Sequence, residues 1–350
     1  MKCNITLEEA YKRASLKLGQ KIGHSIKLLR KAEKIALAYD ATDGFYLAFS
    51  GGKDSQALYH IAELAGVKFK AHFSPTSVDP PAVIRFIRQN YPDVEFEKLK
   101  QSIYSRAVEK SLLPTQNIRW CCADFKESAG AGKVTLIGIR KKESSRRAKR
   151  NEVEMSSRKF SGDMSGFEEY RKEKLRPSVA NTDAIETESL TGCITGKDSL
   201  LISPIIYWDE NDVWEFLNKV VKVPHCELYD NGWKRLGCIC CPMSSYKQKI
   251  KEVTLYPHVK ENWIKAIMKI RKGREFQEGT VWWNMPEQDI KSKHGEGAYI
   301  KDANPERWIK PDRGGKTILT LPIRLHPVLF LTAQRRMKKD LSQKISSTGG

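Results

Sequence analysis

One eleven-residue stretch constrains this chain more than any other: Phe45-Tyr46-Leu47-Ala48-Phe49-Ser50-Gly51-Gly52-Lys53-Asp54-Ser55. Its apolar run predicts a buried strand over Phe45–Phe49, and Gln56 to Ala65 has the composition and period of a helix. Between them, two glycines must carry the main chain from strand to helix. Without a Cβ, glycine lets backbone N–H groups come close to a ligand. The free N–H groups of a first helical turn, at the positive end of the helix, favour an anion. Lys53 adds a mobile cation to such a site, Asp54 is suited to meet a magnesium ion, and Ser50 and Ser55 offer hydroxyls. The spacing is not that of the Walker loop, which needs a glycine, four intervening residues and then Gly-Lys-Ser/Thr. Gly196-Lys197-Asp198-Ser199 and Gly315-Lys316-Thr317 fail the same test. The alternative for Ser50–Ser55 is a tight turn that binds nothing; the agreement of motif with strand–helix context favours a phosphate site.

The flanking sequence alternates in kind. Strands are predicted at Phe69–Phe73, Val94–Leu99, Val134–Gly138 and Leu200–Ile202, with a helix at Val83–Asn90. Short apolar strands alternating with helices imply an α/β fold, a parallel twisted sheet with helices on both faces. Ligands of such sheets lie at the carboxyl ends of the strands, where Ser50–Ser55, the loop from Thr76 through Ser77 to Asp79, and Gly138–Arg140 all fall. Leu7–Tyr39 has helical spacing (Leu18, Ile22, Ile26, Leu29), with Gly19 and Gly23 expected to break it in two. The expected organisation is a helical extension at 1–42, the sheet domain at 43–245, a helical and irregular region at 246–341 and a disordered tail at 342–350. Within the sheet domain, 141–199 reads as a polar, basic insertion, mobile in part or ordered by a ligand. Later helices are predicted at Glu210–Asn218 and Tyr246–Arg271.

The 61 Lys and Arg against 42 Asp and Glu give a net charge of +19, a field that favours polyanions and makes a nucleic acid an expected partner. Seven of the cations crowd into eleven residues, Arg140, Lys141, Lys142, Arg146, Arg147, Lys149 and Arg150, directly after the predicted strand end at Gly138. The alternative is a solvated charged face. No apolar run reaches membrane-spanning length and the first residues lack a signal core, so the expectation is a soluble, cytoplasmic protein with no membrane partner.

Eight cysteines in such a protein argue for metal or redox chemistry rather than disulfides. Cys121 and Cys122 are adjacent, and Cys238 and Cys241 form a Cys-x-x-Cys. Together they offer four thiolates, the number a [4Fe-4S] cluster requires. Tetrahedral zinc is the rival, although adjacent cysteines fit one small ion less easily than a cube with spread ligand positions. Buried free thiols are the remaining alternative. Cys240 reads as a bystander, or as a substitute for Cys238 in a tighter turn; Cys3, Cys193 and Cys226 have no evident partner.

With these residues in view, the chain from about Phe45 to Arg271 resembles the phosphoadenosine phosphosulfate reductase family of the PP-loop ATP pyrophosphatase superfamily. Ser50–Ser55 is similar to the family's pyrophosphate loop, and Thr76-Ser77-Val78-Asp79-Pro80-Pro81 sits where the family has a substrate loop. Arg119-Trp120-Cys121-Cys122 resembles its Arg-x-Cys-Cys element, and Gly138-Ile139-Arg140-Lys141-Lys142-Glu143-Ser144 its Gly-Ile-Arg-x-x-Glu-Ser segment. Ser203–Trp208 with Asp212-Val213-Trp214, then Tyr229-Asp230-x-Gly232 and Gly237-Cys238-x-x-Cys241, complete the series. The resemblance implies ATP held at Ser50–Ser55 with Ser77, Asp79, Gly138, Arg140 and Arg146 assisting, catalytic roles for Lys53, Asp54 and Arg140, and a [4Fe-4S] cluster on the four cysteines.

Sulfonucleotide reductases of the family attack sulfur with a cysteine in a C-terminal Glu-Cys-Gly-x-His motif, and this chain has no cysteine after Cys241. The expectation therefore moves to the branch similar to DNA-phosphorothioation proteins, which use ATP and a cluster while a cysteine desulfurase supplies sulfur. Alternatives are a true sulfonucleotide reductase, a tRNA thiolation enzyme and a nucleotide- or nucleic-acid-binding protein without turnover.

Overall fold

The computed structural model describes residues 5–115, 118–127, 129–174, 198–270, 309–311 and 317–319. The chain forms two compact units, one of Met1–Ser102 with Trp120–Cys238, the other of Ile103–Arg119 with Ile239–Gly350.

The first unit is built on a seven-stranded sheet: β1 (Phe45–Ala48), β2 (Phe69–Phe73), β3 (Glu95–Phe96), β4 (Val134–Leu136), β5 (Val153–Met155), β6 (Ser161–Gly162) and β7 (Leu200–Ile202). The spatial order is β3-β2-β1-β4-β7-β5-β6. The first five in that order run parallel, while β5 is antiparallel to β7 and β6 to β5. The α/β reading therefore holds, with an antiparallel margin added to the parallel sheet. Phe45, Leu47, Val134, Leu136, Leu200 and Ile202 are wholly buried; central strands covered on both faces read as apolar runs rather than as alternation.

Helices α1 (Leu7–Arg13) and α2 (Leu16–Tyr39) precede the sheet. The interruption expected at Gly19 and Gly23 lies instead at Ala14–Ser15. Thr6 and Glu9 form a capping box on α1, and the Ser15 hydroxyl accepts the Leu18 N–H to start α2. Both glycines are inside α2 and make room for a neighbour. A Cβ on Gly23 would stand 3.2 Å from the Tyr11 hydroxyl, and one on Gly19 3.7 Å from its ring. Leu18, Ile22 and Leu29 are wholly buried, each contributing roughly 1.5–3 kcal/mol of transfer free energy. This helix is thus part of the unit's core. It packs on α3 (Lys53–Ala65), which follows β1; α4 (Pro81–Asn90) follows β2.

The stretch read as a polar insertion contributes core. Val153, Met155 and Phe167 are buried, and β5 and β6 extend the sheet edge. The Asp198 carboxylate fastens its return, accepting from the Ser156 and Ser157 hydroxyls at 2.6 and 2.5 Å and from the Ser157 and Ser199 N–H groups at 2.9 Å each. Residues 175–197, with Cys193, lie outside the described residues. The predicted helix at Glu210–Asn218 is an α-helix over Glu210–Glu215 that widens into a π-helical turn, Phe216–Val220.

In the second unit, helices span Ile103–Lys110, Tyr246–Leu255 and Pro257–Ile270, and Ile309–Pro311 pairs antiparallel with Thr317–Leu319. The single helix predicted from Tyr246 is two. Tyr256 leaves helical geometry (φ −129°, ψ 66°), and Pro257, lacking an N–H, opens the next helix, where that donor would be unpaired. Buried Glu252 accepts the Cys240 N–H at 2.6 Å, and buried Lys249 reaches the Pro242 carbonyl at 3.4 Å. Trp282, Trp283, Trp308, Cys3 and the 342–350 tail lie outside the described residues. Among the described residues no helix is long and apolar enough to cross a membrane.

Candidate active site

The loop between β1 and α3 is shaped by contacts that require its glycines. Gly51 has φ +71°, and a Cβ there would fall 2.9 Å from Ile87 Cγ1 and 3.1 Å from Val83 Cγ1 on α4. Both the left-handed backbone and the lack of space exclude a side chain. Gly52 is the N-cap of α3 and offers no side-chain cap. Ser55 staples the turn, its hydroxyl donating to the Gly52 carbonyl at 2.8 Å and accepting the Ser50 N–H and the Ser50 hydroxyl at 3.1 Å each.

Gly138, beyond β4, passes so close to α3 that a Cβ would lie 2.9 Å from the Asp54 carbonyl oxygen. That approach delivers Arg140. Its buried guanidinium donates from Nε to Asp54 Oδ1 at 2.6 Å. Burial raises the Asp54 carboxyl above the ordinary carboxylate value, while Arg140 and Lys53 pull it back. Glu143 accepts the Arg140 N–H at 3.0 Å and pairs with Arg147.

Lys53, read from the sequence as a mobile cation, is held. It is 3% exposed, and its ammonium donates to the Lys234 carbonyl at 3.0 Å and lies 3.4 Å from Glu210. The rings of Tyr229 and Trp214 lie 5.5 and 6.0 Å away, within cation–π range. The Lys53 N–H, the first donor of α3, is taken by the Tyr229 hydroxyl at 2.8 Å. Segment 229–234 therefore occupies both donors that Lys53 would turn to an anion. Tyr229 belongs to a motif visible in the sequence, but nothing there joins it to a loop 176 residues earlier.

The second loop at this edge is also organised. Asp79 accepts the Thr76 N–H at 2.6 Å, and Ser77 sits at φ +66°, a left-handed conformation that costs a non-glycine residue energy. Thr76 Oγ1 is 3.4 Å from Cys238 Sγ. The Lys126 ammonium lies against the same thiol: negative charge at Cys238 raises its pKa, and Asp79 and Cys122 act in the same direction. The structure thus lets Cys122, Cys238 and Asp79 act on one lysine, with Thr76 touching Cys238. Cys121 and Cys122 lie on the short helix Trp120–Cys122, while Cys241 belongs to the second unit. Among the described residues no group of three or more His, Cys, Asp or Glu side chains is gathered as a metal site. Within the first unit the donors suit metal–sulfur chemistry in kind: Cys121, Cys122 and Cys238 are partly exposed and in no disulfide, and Lys126 interacts with two of them.

The basic run is less available to a polyanion than its composition suggests. Arg140 is bound to Asp54, Lys142 to Asp209 at 3.3 Å, Arg147 to Glu143 and Arg150 to Glu154. Arg146, expected at the phosphates, is exposed on the helical turn Ser145–Ala148, as is neighbouring Lys149.

Comparison with known proteins places these features in a lineage. Residues 44–244 match the model of the phosphoadenosine phosphosulfate reductase domain. An uncharacterized protein of Methanocaldococcus jannaschii is 27% identical over 224 residues, covering 63% of this chain and 46% of the relative; the chain thus spans about half the length of that relative. Adenosine 5'-phosphosulfate reductase of Oceanobacillus iheyensis is 44% identical over 43 residues, 12% of this chain and 18% of that one. Among solved structures, the FMN adenylyltransferase of Candida glabrata in complex with FAD and inorganic pyrophosphate aligns with TM-score 0.38 and 14% identity, over 66% of this chain and 70% of that one. With a match across more than half its length, the chain belongs to the phosphoadenosine phosphosulfate reductase domain family.

Proposed function

We propose that this protein is an ATP pyrophosphatase-type enzyme that adenylates an acceptor for sulfur incorporation, the acceptor being a nucleic acid as in DNA phosphorothioation. The observation that carries the reading is the convergence of the left-handed Gly51 turn, the start of α3, Lys53, Asp54 and Arg140 at the carboxyl edge of β1 and β4. ATP lays its β- and γ-phosphates on Ser50–Ser55; as it does so the Lys53 N–H and ammonium leave Tyr229 and Lys234 and, with the other main-chain N–H groups, meet the charge of departing pyrophosphate. Arg140 steadies the phosphates from the facing strand end, and Ser77, Asp79, Gly138 and Arg146 complete the rim of the nucleotide site. Asp54 is the group that would hold magnesium, which neutralises the phosphates when bound. An acceptor oxygen, on a backbone phosphate, attacks the α-phosphorus; pyrophosphate leaves and the acceptor carries AMP. The terminal sulfur of a persulfide on a partner cysteine desulfurase then attacks the activated phosphorus and AMP leaves; a thiol reductant cleaves the remaining S–S bond, freeing the phosphorothioate and the desulfurase cysteine. Cys121, Cys122, Cys238 and Cys241 would hold a [4Fe-4S] cluster, which when bound supplies a sulfur-binding iron centre.

The test is to incubate anaerobically purified protein with ATP and, in turn, single-stranded DNA, duplex DNA, tRNA or a sulfonucleotide. Pyrophosphate release stimulated by a nucleic acid and lost in Lys53→Ala and Asp54→Ala supports the reading. Thioredoxin-dependent sulfite release without pyrophosphate would replace it with sulfonucleotide reduction. Iron and acid-labile sulfide near four per chain, with sulfur-to-iron absorption in the visible, is the result expected for the thiolates; stoichiometric zinc without iron would overturn the cluster.

A further inference from the structure

Beside the nucleotide edge lies a feature that the adenylation chemistry does not use. Among the described residues, Tyr207 is one of the few large hydrophobic side chains left in solvent, at 45% exposure. The Lys141 ammonium stands 5.0 Å from its ring centre, and the His24 ring meets it edge-on at 5.5 Å. Under the tyrosine is a cavity of about 150 Å³ lined by Gln20, Lys21, His24, Pro204, Tyr207 and Trp208.

Buried bonds build this cavity. The Trp208 indole donates to Ser25 Oγ at 3.2 Å, and that hydroxyl donates to the Pro204 carbonyl at 2.7 Å. Buried Glu152 and Asp212 hold His24 and Lys21. The segment carrying Tyr207 is tied to the nucleotide edge: the Lys141 N–H donates to the Ile206 carbonyl at 2.9 Å, and Lys141 follows directly on Arg140, which grips Asp54. Acidic groups nearby are already matched, Glu152 by His24 and Asp209 by Lys17 and Lys142, whose side chains are 64% and 66% exposed. Asp209 is largely shielded, but both lysines reach solvent, so their ammonium groups stay open to a second anion.

We propose that Tyr207 is a stacking platform for one unpaired nucleobase of the acceptor strand, with the adjoining phosphates on Lys141 and the exposed lysines beside it. A flat ring flanked by cations on a basic protein is the arrangement by which single strands are held without reading sequence. This rests on the nucleic-acid reading above and adds the place where the strand is gripped.

The experiment uses the full chain and oligonucleotides carrying 2-aminopurine, as single-stranded DNA, single-stranded RNA and duplex DNA, followed by anisotropy and by quenching of the probe. The expected result is quenching on a single strand, binding about 5- to 160-fold weaker in Tyr207→Ala, and near-unchanged binding in Tyr207→Phe, which keeps the ring. The tighter of the DNA and RNA arms identifies the strand, and either supports the proposal. Undiminished binding and quenching in Tyr207→Ala would overturn the platform and leave the acceptor reading standing, as would binding confined to the duplex. If the wild-type chain binds no oligonucleotide, the acceptor reading fails and the platform with it.

Discussion

Removing the Tyr229 hydroxyl should tighten nucleotide binding. In the structure that oxygen accepts the Lys53 N–H at 2.8 Å, and a Cβ on neighbouring Gly52 would stand 3.4 Å from it. It holds a donor that the phosphate reading assigns to the nucleotide. Tyr229→Phe keeps the ring that faces the Lys53 ammonium and deletes only the acceptor. A hydrogen bond of this kind contributes about 0.5–1.5 kcal/mol net, and the loss falls on the free protein alone, because bound phosphate would take over the N–H. The ATP dissociation constant should therefore fall about 2- to 12-fold, at 1.36 kcal/mol per tenfold. The same change should lower the melting temperature of the free protein by about 1–6 °C. Isothermal titration with a non-hydrolysable ATP analogue, paired with thermal melts with and without it, measures both. A lowered melting temperature with unchanged or weaker binding would refute the reasoning and make the hydroxyl a nucleotide contact in its own right. Absence of binding by the wild-type chain would refute the phosphate site itself.

Other substitutions have equally definite outcomes. Gly51→Ala forces a side chain into left-handed backbone, about 1–2 kcal/mol, and against Ile87 and Val83, about 1–3 kcal/mol more. Urea unfolding should register the sum, and a loss under about 0.5 kcal/mol would show that the loop relaxes freely. Leu29→Ala, at a wholly buried position, should cost about 2–5 kcal/mol in the same assay. Burial pushes the Asp198 carboxyl up, but the hydrogen bonds from Ser156, Ser157 and Ser199 outweigh it and hold the group below its ordinary value. A depressed carboxylate stabilises the fold above its unfolded pKa, near 3.9, and loses that contribution as pH falls through the folded value. Asp198→Asn should therefore be less stable than wild type at neutral pH, with the gap closing below about pH 4; a pH-independent gap would contradict this.

The loop and the strands around it were legible because several signals coincide there. Apolar β1, two glycines and the helix start are consecutive, and Gly138-Ile139-Arg140 carries its own strand-end signature. The missing parts depend on distant partners. Gly19 and Gly23 look like breaks until Tyr11 packs against them. Val153-Glu154-Met155 is too short to show a period, and only pairing with β7 makes it a strand. Lys53 reads as free because the Lys234 carbonyl that holds it is 181 residues away. The cations after Gly138 advertise a polyanion site, yet Asp209 and Glu154, which neutralise two of them, lie outside that run.

Among the described residues, the sheet ends at both margins in strands of two residues, Glu95–Phe96 and Ser161–Gly162. So brief a border offers a second molecule almost no ladder to extend, and one of the two carries an exposed ion pair, Lys70 with Glu95. Crowded chains would thus be denied edge-to-edge growth, and a truncation that removed Val153–Gly162 would uncover β7 and turn a self-limiting sheet into a template for aggregation.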